Sequence, residues 1–205
     1  MLLSLLQKKS YSLKKKILKI FGDIEKHKYP FFFVYNPTHY KISGKDFERI
    51  NKEIQPFDVL LRRFDNYLDN GFIPGFWNHA GIYFDGGVLH AVAEGVKKET
   101  LFDFMKADHI CLLRPKFEYS ENLLQERLNS FLGKEYDFNF DFQDNADRLS
   151  CTEVIKEAFK DYDNLIPYTE LDYFFFKRQA VVPDTIFTAN FEVVYDSRKD
   201  STNAE

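Results

Sequence analysis

The chain has 205 residues, 44% of them hydrophobic and 18% aromatic, enough apolar material for one packed domain and too much for a disordered chain. Its two cysteines, Cys111 and Cys151, exclude a disulfide-rich scaffold and a four-thiolate zinc site, and a formal charge of −4 excludes bulk electrostatic wrapping of nucleic acid. No apolar run approaches the ~18 residues of a membrane-spanning helix.

The charge is unevenly placed. Residues 1–28 hold eight lysines and two acids, a net +6, which leaves −10 for the rest. Leu13, Ile17, Ile20, Phe21 and Ile24 fall near helical spacing, with Lys14, Lys15, Lys16 and Lys19 on the other faces. The pattern predicts a basic amphipathic helix, which either packs on its own domain or lies on an anionic membrane surface. Leu2, Leu3, Leu5 and Leu6 precede the lysines, the reverse of signal-peptide order, so the expected location is cytoplasmic, with peripheral membrane contact through residues 1–28 as an option.

Further along, residues 31–35 read as a short strand ahead of an Asn36-Pro37 turn, and Ser43 with Asp46 starts a helix to about residue 54. Residues 57–61 read as a strand and 70–76 as a loop. Strands at 80–84 and 88–93 flank Asp85-Gly86-Gly87, a strong hairpin signal. A strand at 109–113 precedes a helix capped by Ser120 and stopped by Gly133. Tyr136, Phe138, Phe140 and Phe142 alternate with polar residues, predicting an extended segment. A helix follows at 150–160 and a last strand at 187–195, and the polar tail 196–205 reads as disordered. Strands and helices are segregated more than alternated, which points to an α+β architecture.

The residues that carry chemistry cluster in two places. Ser150 and Glu153 form a capping box that fixes Cys151 at the first position of a helix. There the free backbone N–H groups and the helix dipole favour a thiolate, so Cys151 reads either as a nucleophile with a depressed pKa or as a small apolar residue at a helix base. Cys111 lies inside the apolar run Ile110-Cys111-Leu112-Leu113 and reads as core. A thiolate nucleophile needs an imidazole. His79 and His90 flank the hairpin, and a two-residue turn at Asp85-Gly86 or Gly86-Gly87 puts both on one face, whereas a three-residue loop without a bulge separates them. His27, His39 and His109 read as ordinary structural histidines.

Metal readings are weaker. His79, His90 and Cys151 number enough for catalytic zinc, but no short Cys-x-x-Cys or His-x-x-x-His spacing supports it. Asp137-x-Asn139-x-Asp141 opens like a calcium loop, then has Phe142 where glycine is needed and Arg148 where the closing glutamate belongs. No phosphate-cradling glycine loop and no Gly-x-Ser-x-Gly elbow occurs. The expectation is therefore no cofactor and no metal.

Asn78-His79-Ala80-Gly81-Ile82-Tyr83 resembles the His-x-Gly-Ile-Tyr hairpin of the NlpC-like papain superfamily. Gly133-Lys134-Glu135-Tyr136-Asp137-Phe138 and Ser150-Cys151-Thr152-Glu153-Val154-Ile155 resemble its "G-K-x-Y-D-F … C-S-E-L-V" block, and Pro183-Asp184-Thr185-Ile186 its late "P-D-D-I" element. His precedes Cys here, the circularly permuted order of the YiiX/YaeF-like amidases and the lecithin-retinol acyltransferase family. The opening "G-D-x-L-L" strand appears as Phe57-Asp58-Val59-Leu60-Leu61, without the glycine, and Thr152 replaces the usual Ser.

The resemblance implies an α+β, permuted papain-like (NlpC-like) fold: an antiparallel sheet or partial barrel with helices packed on one side and an N-terminal helical extension. The implied organisation is extension 1–56, catalytic domain 57–195 and tail 196–205. It also implies a cysteine-dependent hydrolase or acyltransferase of amide or ester bonds, forming an acyl-enzyme on Cys151 with His79 as base and His90 as the third polar residue. Glu94 is the alternative for that third place, and Tyr136 a candidate oxyanion donor. The expected partner is a small amide, peptide or lipid substrate and not nucleic acid. The rival readings are a non-catalytic binding module on the same fold and a peripheral membrane adaptor.

Overall fold

The computed structural model describes residues 12–17, 20, 24–27, 32–35, 41–67, 70, 73–138, 147–173 and 176–200. Residues 12–17 are helical, as the lysine-rich pattern predicts, but Ile24 is not on that helix. It opens β1 (Ile24–His27), which pairs antiparallel with β2 (Phe32–Tyr35), so the N-terminal extension contains a hairpin as well as helix. Asn36-Pro37 and His39 lie outside the described residues. Helix α1 (Gly44–Glu53) begins where Ser43 caps the Asp46 N–H, and its Ile50 is wholly buried against the domain. Ile42, Phe47 and Ile54 pack in the same cluster as Ile50, Leu60, Val88 and Ile110.

The domain centres on six antiparallel strands. They are β3 (Val59–Arg63), β4 (His79–Phe84), β5 (Gly87–Val92), β6 (Gly95–Glu99), β7 (His109–Pro115) and, late in the chain, β10 (Phe191–Asp196), in spatial order β10-β7-β3-β4-β5-β6. The sheet is open, not a closed barrel. Alternation sorts its side chains to two faces. Val59, Leu61, Ala80, Ile82, Leu89, Cys111 and Leu113 pack with α3 (Glu121–Phe131) and α4 (Cys151–Ala158). Leu60, Val88, Ile110 and Leu112 pack on the other face with Ile50 and with the short α2 (Leu101–Phe104). The two longer C-terminal helices thus share one side, while α1 and α2 cover part of the opposite one.

The β4–β5 connection is a two-residue turn. Asp85 and Gly86 both sit at positive φ, 47° and 73°, which a type I′ hairpin requires. β3 starts at Val59 rather than at residue 57, and Phe57, in the turn ahead of it where the related pattern carries glycine, has φ 69°. This left-handed conformation costs a non-glycine residue about 1 kcal/mol or more. Burial of the Phe57 ring offsets it, with Phe84 stacked at 6.4 Å and Tyr119 edge-on at 5.7 Å. The following Asp58 is enclosed and receives two bonds from Arg114, at 3.0 and 2.8 Å.

Beyond α4 and a 3₁₀ turn (Lys160–Leu165), β8 (Thr169–Tyr173) and β9 (Phe176–Ala180) form a hairpin that the sequence pattern did not reveal. Residues 187–188 are helical rather than strand. They complete α5 (Pro183–Thr188), which Pro183 starts at a position needing no N–H donor and Thr185 supports by accepting from the Val182 N–H at 3.1 Å. The chain stays ordered past residue 195. Asp196 closes β10, and Ser197 opens α6 (Ser197–Asp200), accepting from the Ile110 N–H at 3.0 Å. Residues 201–205 and the stretch 139–146, including Asn139 and Asp141, lie outside the described residues.

Candidate active site

The nucleophile candidate lies where the capping box predicts. Ser150 Oγ accepts from the Glu153 N–H, the Glu153 carboxylate accepts from the Ser150 N–H, and Cys151 is the first residue of α4. The lead-in is fixed by pairing: the Leu149 N–H donates to the Glu135 carbonyl at 3.0 Å and the Asp137 N–H to the Leu149 carbonyl at 3.3 Å. The Gly133-Lys134-Glu135-Tyr136-Asp137 stretch therefore acts as a brace beside the cysteine. Tyr136 stands half-buried in that brace, its ring 4.7 Å from Phe138.

The histidines meet as the same-face hairpin geometry allows. The β4–β5 ladder runs from Phe84–Gly87 to Ile82–Leu89 and no further, so His79 and His90 lie past its last pair. There the two imidazoles bridge the strands, with His79 Nε2 and His90 Nδ1 2.9 Å apart. Phe104 of α2 packs on both rings, at 5.9 and 5.2 Å. His90 is fully enclosed, whereas His79 keeps partial solvent access. Gly81 is needed between them because a Cβ there would come within 2.9 Å of the Phe104 ring and 2.6 Å of Val88.

Helix α4 packs on β4, and the Ala80 N–H is among the groups that favour the Cys151 thiolate. The helix that Cys151 opens therefore lies against the strand that His79 opens. The Cys151 pKa does not follow the expectation from the helix start. Burial pushes the Cys151 thiol up to about 11, and the Glu153 carboxylate works in the same direction. The Ala80 and Thr152 N–H groups and the Arg62 guanidinium favour the thiolate but do not overcome desolvation. His79 is held well below the usual histidine range, by burial first and then by Arg62 and His90. His90 is also lowered, burial outweighing the Glu99 carboxylate that would raise it. The resting pair is a neutral thiol and a neutral imidazole.

Two residues that sequence reasoning missed complete the cluster. Glu99, at the end of β6, brings Oε2 to 3.2 Å from His90 Nε2, close enough for an ion pair though poorly aligned for a full hydrogen bond, while Lys97 holds Oε1 at 2.9 Å. His90 and its neighbours draw the Glu99 carboxyl down to about 2. The carboxylate beside His90 is thus Glu99, and the anticipated Glu94 sits in the exposed β5–β6 turn. Arg62 is the cross-strand partner of His79 and stacks on Phe104 at 4.4 Å, with Nη1 donating to the Phe104 carbonyl and lying 3.8 Å from Glu99. The predicted strand stopped one residue short of Arg62, and Glu99 depends on a second turn with no Asn-Gly-type signal.

The late "P-D-x-I" element also reaches the site. Asp184 accepts from the Trp77 N–H at 2.7 Å, pinning the chain two residues before His79, and Gly75, at φ 103°, gives its carboxylate room. Cys111 is a buried core thiol on β7, pushed far up by desolvation. Among the described residues, no three or more His, Cys, Asp or Glu side chains converge as a metal site.

A family model described as permuted papain-like amidase, YaeF/YiiX, C92 family, matches residues 53–190. Among solved structures, the chain is similar to the metalloprotein YiiX of Escherichia coli O157:H7, with a TM-score of 0.58 and 17% identity over 71% of this chain and 98% of that one. No curated protein sequence matches.

Proposed function

Because the chain belongs to the permuted papain-like amidase family of YaeF and YiiX, we propose that it is a thiol hydrolase that cleaves an amide or ester bond through an acyl-enzyme on Cys151. The observation that carries this reading is the packing of α4, which Cys151 opens, on β4, which His79 opens, with the His79 imidazole engaged by a second histidine. In this mechanism His79 takes the Cys151 proton as the sulfur attacks the carbonyl carbon and the C=O electron pair moves to oxygen. The Cys151 N–H, at the first helical position and without an intrahelical acceptor, is the oxyanion donor. Collapse breaks the bond to the leaving amine or alcohol, which takes the proton back from His79 and leaves a thioester. Water, or another acceptor in acyl transfer, then attacks the thioester while His79 removes its proton and returns one to the departing sulfur. His90 acts through His79 and is a positioning residue.

YiiX is described as a metalloprotein, but the donors here do not fit a metal. The facing nitrogens of His79 and His90 engage each other, and Glu99 approaches the far side of His90, so the donors form a chain rather than converge. No step is routed through a metal.

The test is a panel of fluorogenic acyl amides and esters read with an electrophilic thiol probe and intact-mass mapping. We expect turnover with wild type, a mass adduct at Cys151 and not at Cys111, and loss of both in Cys151→Ala, with at least a 10²-fold loss in His79→Ala. Cys151→Ala with wild-type turnover ends the proposal.

An apolar substrate at a lipid surface is favoured by one further observation. Leu13, Ile17 and Ile20, at helical spacing, are 60%, 57% and 61% exposed in the lysine-rich segment. Co-sedimentation with phosphatidylserine vesicles that is lost in Leu13→Glu/Ile17→Glu supports this contact, and equal pelleting of both proteins refutes it.

A further inference from the structure

We propose that Glu99 is the positioning residue that sets the tautomers of the whole histidine pair, and so decides which nitrogen of His79 is the base. The inference deepens the reading of His79 as the proton acceptor and rests on it. The argument is a proton inventory. His90 is fully enclosed, with Phe104 against its ring, and its two nitrogens face different partners: Nδ1 meets His79 Nε2 at 2.9 Å, and Nε2 meets Glu99 Oε2 at 3.2 Å. A carboxylate is acceptor-only. Were His90 Nε2 unprotonated, two acceptors, that nitrogen and a carboxylate oxygen, would lie 3.2 Å apart inside an enclosed site and repel. The single proton of neutral His90 therefore belongs on Nε2.

The rest follows from that one choice. With its proton on Nε2, His90 offers a lone pair at Nδ1, so the 2.9 Å contact requires His79 to donate from Nε2. Neutral His79 has only one ring proton, and its Nδ1 is then the bare nitrogen. The burial that holds both histidines neutral keeps the inventory at one proton per ring. Two cations hold Glu99 ionised and oriented: Lys97 at 2.9 Å, the cross-strand partner of His90, and Arg62 at 3.8 Å, the cross-strand partner of His79. Neither cation accepts a proton from His90, so Glu99 alone selects. In the opposite tautomer chain, His90 donates from Nδ1, His79 accepts at Nε2, and the His79 proton moves to Nδ1, leaving no base for the thiol.

The experiment reads tautomers directly, by two-bond ¹H–¹⁵N correlation of the imidazoles at pH 7.5 in wild type, Glu99→Gln and Glu99→Leu. The expected wild-type result is Nε2–H for both His79 and His90. Glutamine presents a donor and an acceptor and leucine neither, so both variants should lose the selection and show mixed or Nδ1–H patterns. With an acyl substrate that wild type turns over, Glu99→Gln should lower kcat about 10- to 100-fold with KM little changed, below the ~10⁴-fold cost of a wholly wrong tautomer. Nδ1–H on His90 in wild type, or unchanged tautomers in both variants, overturns the proposal. The NMR readout needs no turnover, so it stands or falls apart from the catalytic reading: wild-type activity in Cys151→Ala would sink that reading while leaving the tautomer assignment intact.

Discussion

Cys151 should behave as a buried thiol rather than as a preformed thiolate, and the pH dependence of its alkylation measures this. Burial sets its pKa near 11, against about 8.5 for a free cysteine. At pH 7.5 a free thiol is about 9% thiolate, whereas a group titrating near 11 is about 0.03% ionised, roughly 300-fold less. A more basic thiolate is the better nucleophile. With a Brønsted slope of about 0.45, a rise of some 2.5 pH units returns roughly 13-fold, leaving a net slowing of about 20-fold before access is considered. Cys151 is only 7% exposed, which slows the reagent further. The assay is iodoacetamide modification followed by peptide mass mapping from pH 6 to 10.5, in wild type and His79→Ala. The expected wild-type rate climbs tenfold per pH unit through pH 9 with no plateau. His79→Ala should keep that shape, because no resting ion pair exists to be lost. A wild-type plateau with a midpoint below about 7 that disappears in His79→Ala would refute the reasoning. It would mean that the imidazolium outweighs desolvation.

Two further outcomes follow from the same packing. Gly81→Ala should destabilise the fold by about 1–3 kcal/mol in urea melts, since its methyl meets Val88 and the Phe104 ring that packs on both histidines. Stability should also fall as pH drops below about 6.5. His79 and His90 bind protons in the unfolded chain at that pH but resist them when folded, and Glu99, drawn down to about 2, adds a loss from about pH 4.5 downward. The melting temperature of wild type should decline between pH 7 and 5 more steeply than that of His79→Gln, and equal declines would deny the buried neutral imidazole.

What the sequence reveals and what it hides divide along the range of the interactions involved. Cys151 at a helix start is legible because Ser150 and Glu153 are three residues apart and speak for each other. The His79–His90 contact is legible for a similar reason: Asp85-Gly86 fixes the turn, the turn fixes the register, and the register puts both on one face. Glu99 requires the same logic carried through a second turn at Ala93-Glu94, where no residue pair announces the turn type, so an acid in the turn itself competes with the one five residues on. The pKa of Cys151 is the sharper lesson. The local rule, a cysteine at a capped helix start, predicts a depressed value, and the Thr152 N–H has the predicted sign, as do the more distant Ala80 N–H and Arg62, whereas the Glu153 carboxylate of the same capping box opposes it. Desolvation reverses the sum, and it is set by how α4 lies on the sheet, a tertiary quantity absent from any short window of sequence. Phe57 makes the same point in backbone terms. Its position calls for glycine on local grounds, and only the long-range contacts of its ring with Phe84 and Tyr119 explain why a phenylalanine persists at φ 69°.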